Sequence, residues 1–153
     1  MTEETTGEEF ATAPPDAVWR VLADGPRWFE WNEAVEWLWF EDGLRGGALA
    51  TMKPKRFRQT AFRITRADAG RELALQITVG PAARLAFRWT LVPEGAGTRI
   101  SETVTVSGFA AGWLFASAAR RSAAALPARL ARLAEVATEK NHAAETGRVI
   151  TNE

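Results

Sequence analysis

Five short turn-forming stretches, EDGLRGG, KPKR, DAGR, VGPAA and PEGAG, punctuate residues 41–97 and limit the folds open to this chain more than any other feature. Each places glycine or proline between runs that alternate apolar and polar residues. Connections this short join antiparallel neighbours, because a parallel pair needs a crossover of a dozen or more residues. The runs read as six strands, roughly 34–41, 47–53, 57–67, 72–79, 84–93 and 98–107. Without helices between them, they form a meander rather than an alternating βα unit.

Register follows because a slip of one residue would turn every apolar side chain to the wrong face. In RLAFRWTLV the apolar face is Leu85, Phe87, Trp89 and Leu91; in TRISETVTVSG it is Ile100, Val104 and Val106. A four-residue EGAG loop pairs Leu91 with Ile100, Trp89 with Glu102 and Phe87 with Val104. Glu102 therefore points inward, the one charge on its strand's apolar face. Across DAGR, Ile64 meets Leu75 and Phe62 meets Ile77. Across VGPAA, Leu75 falls beside Trp89 and Ile77 beside Phe87. One lateral row then reads Ile64, Leu75, Trp89, Glu102, the next Phe62, Ile77, Phe87, Val104, and a third Thr60, Val79, Leu85, Val106.

The remaining segments supply an opening strand and helices. EEFATAP reads as a short strand stopped by Pro14 and Pro15. PPDAVWRVLAD reads as a helix whose apolar face is Val18, Trp19, Val21 and Leu22. Gly25-Pro26 breaks it, and RWFEW is at most another short helix. From 110 to 139, Phe115, Ala119, Ser122, Ala123, Leu126, Leu130, Leu133 and Ala137 share one side of a long helix, with Arg120, Arg121 and Arg132 elsewhere. Pro127 is expected to kink it. Residues 1–140 read as a single domain and 141–153 as a polar, frayed tail.

Composition excludes several chemistries. The 19 basic and 19 acidic residues cancel, which leaves no global field for nucleic acid or anionic membrane. With no cysteine and the single His142, thiolate catalysis, disulfides and a His-rich metal cluster are removed. MTEETTGEEF lacks the pattern of a secretion signal, and no apolar run reaches the ~18 residues of a membrane span. A cytoplasmic domain with no metal and no cofactor is expected. GLRGG and EGAG are turn glycines, KPKRFR is a solvated loop over a hairpin turn, and His142 is a bystander in the tail.

Four of the seven tryptophans lie in GPRWFEWNEAVEWLWFEDG, residues 25–43, with Trp19 just upstream. The sheet's apolar face must be covered, and only the C-terminal helix is long enough. Its facing side is small around 116–125, where Ala and Ser prevail. A sheet that curves away there leaves a cavity lined by Phe62, Phe87, Trp89 and the tryptophan-rich segment.

The order of strand, two short helices, six-stranded meander and long C-terminal helix resembles the helix-grip fold of the START-like (SRPBCC) superfamily, within it the polyketide cyclase/dehydrase-like group. The resemblance rests on PPDAVWRVLADGPRWFEWN, with its W-x-x-W-N, on FRWTLVPEGAGTRIS and on LPARLARLAEVA, and spans Phe10 to Lys140. It implies an α+β fold: a curved seven-stranded antiparallel sheet with two short helices and a long C-terminal helix packed across it. It further implies an apolar tunnel between sheet and helix, and it transfers no catalytic set residue by residue. Aromatic cyclases of the superfamily use arginine, tyrosine and acidic or hydroxyl groups; the absence of tyrosine here excludes a phenol-based mechanism.

The expected ligand is a small hydrophobic molecule: aromatic, polyketide-like or lipid-like. Trp28 and Trp31 either pack the short helix onto the core or stand at the tunnel mouth. Phe62, Phe87, Trp89 and Leu75 line the cavity, with Arg58 and Thr60 at one strand end. Glu102, an unpaired carboxylate among apolar neighbours, is the candidate general acid or base for cyclisation or dehydration. A salt bridge at the sheet's end is the plainer alternative, and the indole N–H of Trp89 is a possible donor to it. Trp37 and Trp39 share one face of an edge strand. They open the competing reading of a dimerisation or protein-interaction module without ligand.

Overall fold

The apolar alternation of the meander closes into one sheet, seen in a computed structural model that describes residues 2–79, 83–108 and 113–151. Seven strands, β1 (Thr2–Ala11), β2 (Val35–Trp39), β3 (Leu49–Pro54), β4 (Thr60–Asp68), β5 (Glu72–Val79), β6 (Ala83–Glu94) and β7 (Gly97–Ser107), lie in the order β1-β7-β6-β5-β4-β3-β2. All neighbours are antiparallel. Between β1 and β2, helix α1 (Pro15–Ala23) and a 3-10 helix over Gly25–Glu30 carry the chain from one sheet edge to the other. Helices α2 (Trp113–Ala124) and α3 (Leu126–Thr151) follow β7. This is the helix-grip arrangement.

Local chemistry explains most of these elements. Pro15 opens α1, where its missing N–H costs nothing, and Asp16 sits in the first turn, 2.7 Å from Arg20. Ala17, Val18, Val21 and Leu22 are the buried face of α1. Gly25 begins the 3-10 helix where no larger residue fits, since a Cβ there would fall 2.3 Å from the carbonyl oxygen of Leu38. The registers Leu91↔Ile100, Trp89↔Glu102, Phe87↔Val104 and Ile64↔Leu75 stand as the alternation requires.

Four expectations are corrected. The opening strand starts at Thr2 instead of Glu8 and pairs along β7 from Thr2↔Ser107 to Ala11↔Thr98. Its run of Thr and Glu hides it, because an edge strand needs little apolar patterning. Across β5 and β6, Leu75 pairs with Phe87, Ile77 with Leu85, and Leu73 with Trp89. The rows thus become Leu73, Trp89, Glu102 and Leu75, Phe87, Val104; a slip of two residues preserves the face, so the apolar pattern cannot detect it. The C-terminal helix does not bend at Pro127 but is interrupted at Ala125, with the proline at the second position of α3, where it lacks a needed donor least. Finally, α3 runs on through the polar segment to Thr151. In that segment Ala143, Ala144 and Glu145 are good helix formers and Thr146 donates to the backbone oxygen of His142 at 3.0 Å, so local propensity and hydrogen bonding sustain what burial does not.

Candidate functional site

The aromatic excess converges on one place. Trp28 and Trp31 come from the 3-10 helix and the residue after it, Phe87 and Trp89 from β6. Ring centroids lie 4.7 Å apart for Trp28–Trp31, 5.4 Å for Trp28–Trp89 and 5.9 Å for Trp31–Trp89, all tilted or edge-on. Phe87 stacks nearly parallel to Trp89 at 5.9 Å. Such geometries match the quadrupoles of the rings. The three indoles are buried, whereas Phe87 remains only partly covered.

Polar groups pierce this nest. Trp28 donates its indole N–H to the backbone oxygen of Leu22 at 2.9 Å, tying the 3-10 helix to α1. Trp89 donates to Oε1 of Glu102 at 2.7 Å. Glu102 has no exposed surface, and Arg129 of α3 grips it: Nε lies 3.0 Å from Oε2 and 3.2 Å from Oε1, and Nη2 also donates to Oε2. The third nitrogen, Nη1, donates to the carbonyl of Ser122 at 3.0 Å, at the end of α2. One guanidinium therefore joins the sheet, α2 and α3 at the helix interruption, and its Cζ sits 5.9 Å from the ring centroid of Phe87. The expectation of an unpaired Glu102 is corrected; a buried ion pair occupies its place. The donor from Trp89 was anticipated.

One buried donor is left over. Among the described residues, Nε1 of Trp31 is the buried side-chain nitrogen or oxygen without a hydrogen-bond partner. An unmade hydrogen bond at a buried group costs about 1–3 kcal/mol.

The other sequence candidates divide. Phe62 and Leu75 lie in the same core as Trp28, Trp31 and Trp89. Thr60 is half-buried at the start of β4 and donates to the backbone oxygen of Arg58 at 3.2 Å, while Arg58 is exposed on the β3–β4 connection. Arg129 escaped sequence reasoning, although a signal existed: a charge set among Leu126, Leu130 and Leu133, opposite an inward carboxylate. Glu30 joins the tryptophan-bearing segment to α3. Its carboxylate meets the ammonium of Lys140 at 2.9 Å, and that hydrogen bond chiefly, with the charges of Lys140 and Arg27, holds its pKa below the ordinary 4.5 against a smaller desolvation effect.

Two outward-facing hollows flank the sheet. One of ≈ 530 Å³ lies around Arg66, Asp68, Arg71, Glu72 and Val92, and one of ≈ 380 Å³ around Trp37 and Trp39. No group of three or more potential metal-binding side chains occurs among the described residues, and no described helix is long and apolar enough to cross a membrane.

A family model described as "Polyketide cyclase / dehydrase and lipid transport" matches residues 2–138. Among solved structures, the Zhui aromatase/cyclase of a Streptomyces species is similar with a TM-score of 0.69 at 16% identity, over 90% of this chain and 94% of that one. Ara h 8.0201 gives 0.65 at 10% identity, over 91% and 99%. A protein from Thermus thermophilus gives 0.64 at 20% identity, over 90% and 99%. At these identities the likeness is one of fold. No curated protein sequence matches the chain.

Proposed function

Because this chain belongs to the polyketide cyclase / dehydrase and lipid transport family, we propose that it binds a small, largely apolar molecule between the sheet and the C-terminal helices. In this reading Phe87, Trp89 and Trp31 face the ligand, with Phe62 and Leu75 behind them. Thr60 and Arg58 belong to the outer approach. The observation that carries it is the unsatisfied indole N–H of Trp31, inside an aromatic nest whose fourth ring is still partly open. A carbonyl or hydroxyl on the guest would complete that donor, while aromatic contact supplies affinity. The lack of cysteine fits a cytoplasmic setting.

Proton transfer by Glu102 is the enzymatic extension of the same site, favoured by its being the buried carboxylate of the nest. Both its oxygens are engaged, so cyclisation or dehydration through Glu102 first requires Arg129 to swing away. Binding is therefore the primary reading.

The test is titration with an aromatic ketone and with a fatty acid, followed by the indole proton resonances. The Trp31 signal, identified by its loss in Trp31→Phe, is expected to move downfield and saturate, and Trp31→Phe to bind more weakly. Resonances of Trp28, Trp31 and Trp89 that stay fixed with every ligand would refute the interior site. Should a substrate be found, Glu102→Gln turning over at the wild-type rate would remove the proton-transfer role.

A further inference from the structure

The outer face of the sheet carries a second aromatic pair, which the interior site leaves unused. Trp37 and Trp39 sit at alternate positions of β2 and so stand on one face. Trp39 is 56% exposed. Both line the ≈ 380 Å³ hollow together with Glu41, Thr51 and Gln59. Its walls are two indoles, a hydroxyl, an amide and one formal charge, which is negative. The hydroxyl of Thr51, opposite Trp39 in the β2–β3 register, donates to Oε1 of Glu41 at 2.8 Å and so holds the carboxylate beside the rings. Lys53, the cation opposite Trp37, is engaged elsewhere. Its ammonium donates to the backbone oxygens of Pro54 and Phe57 at 2.6 and 2.9 Å and lies 3.8 Å from Glu36.

This lining selects by charge. An indole face presents negative potential and attracts a cation, more strongly than the other aromatic side chains do. Glu41 adds a full negative charge from the same hollow, which disfavours an anionic guest. Alternate positions on a strand are about 6.6 Å apart, a gap that lets one compact alkylammonium head touch both rings. A second copy of the chain, meeting this one through a two-fold axis, would set the same negative hollow against itself. We propose that the hollow binds a small free organic cation of the quaternary-ammonium type, by cation–π contact with Trp37 and Trp39 and charge pairing with Glu41.

The probes are choline chloride and its neutral carbon isostere dimethylbutanol, with sodium chloride as the ionic control. The Trp37 and Trp39 indole resonances are identified by their loss in Trp37→Phe and Trp39→Phe; both side chains reach solvent, and the folded state is verified by the unmoved signals of the buried indoles. Choline is expected to shift both resonances saturably and to leave Trp28, Trp31 and Trp89 in place. The isostere is expected to bind about tenfold more weakly, and Glu41→Gln to weaken choline by about the same factor. An equal response to the isostere, no response to choline, binding to phosphatidylcholine vesicles but not to free choline, or shifts that follow protein concentration instead of choline would each overturn the proposal. None of these outcomes bears on the interior site, which is read from different tryptophans.

Discussion

At the scale of single residues, the Glu102–Arg129 pair sets the terms of the interior. Taking two charges out of water costs several kcal/mol per ion, and only close geometry with every donor occupied offsets this. Here Trp89, Arg129 and the carbonyl of Ser122 supply that geometry. Arg129→Ala would leave Glu102 buried with one indole donor. It is expected to destabilise the protein by about 3–5 kcal/mol in urea unfolding, whereas Glu102→Leu combined with Arg129→Met should cost far less and fall within a few kcal/mol of neutral. Equal losses in the single and double variants would show that the two residues do not act as a pair. The inward direction of Glu102 was legible in the alternation of β7. Its partner was not, because strand periodicity says nothing about which helical residue arrives opposite.

At the scale of elements, two couplings hold the tryptophan-bearing segment and the helices in place. The first is Glu30, whose carboxylate meets Lys140 at 2.9 Å and whose backbone oxygen accepts from Nε of Arg132 at 3.1 Å. A carboxylate with a depressed folded-state pKa contributes stability that is present above its ordinary value of 4.5 and is lost as pH falls through the lowered one. Acid titration is therefore expected to cost the wild-type protein more below pH 4.5 than it costs Lys140→Gln, in which the main cause of the shift is gone. Parallel acid limbs in the two proteins would remove this link from the account. The second coupling is the contact of β1 with α3. Gly7 leaves room for Leu126, since a Cβ at that glycine would fall 2.6 Å from the leucine's Cδ2. The same residue pairs with Glu102 across β1 and β7, so the close approach lies beside the ion pair. The bounds of β2 to β7, to within about three residues, and the α1 helix followed from proline, glycine and period, whereas the start of β1 did not. The separation of α2 from α3 did not, because Pro127 marks a disturbance without saying whether the helix bends or stops.

At the scale of the whole molecule, α2 buries small side chains: Ala116 and Ala119 are its buried hydrophobic residues among those described. In its last turn the carbonyl of Ser122 accepts from Nη1 of Arg129 at 3.0 Å, which ties it to α3. Local opening draws on elements with little buried apolar surface. Amide exchange is accordingly expected to be faster in α2 than in the buried Leu126–Ala137 stretch of α3, and to slow in α2 when an interior ligand binds. Uniform protection across both helices would mean that they open only with the whole domain. On the opposite surface, Trp37 and Trp39 remain outside the core altogether. The aromatic richness that looks uniform along residues 25–43 thus serves two faces of one sheet, Trp28 and Trp31 within and Trp37 and Trp39 without.

Turn residues and alternation were enough to read the antiparallel meander, the inward faces of β4 to β7 and the need for a covering helix. These depend on turn chemistry and on a period of two, both local along the chain. Tertiary structure alone decided the two-residue offset between β5 and β6, the arrival of Arg129 at Glu102, and the unsatisfied donor of Trp31. A slip by a full strand period leaves the apolar pattern unchanged, and a contact between residues 27 positions apart depends on how sheet and helices pack in three dimensions.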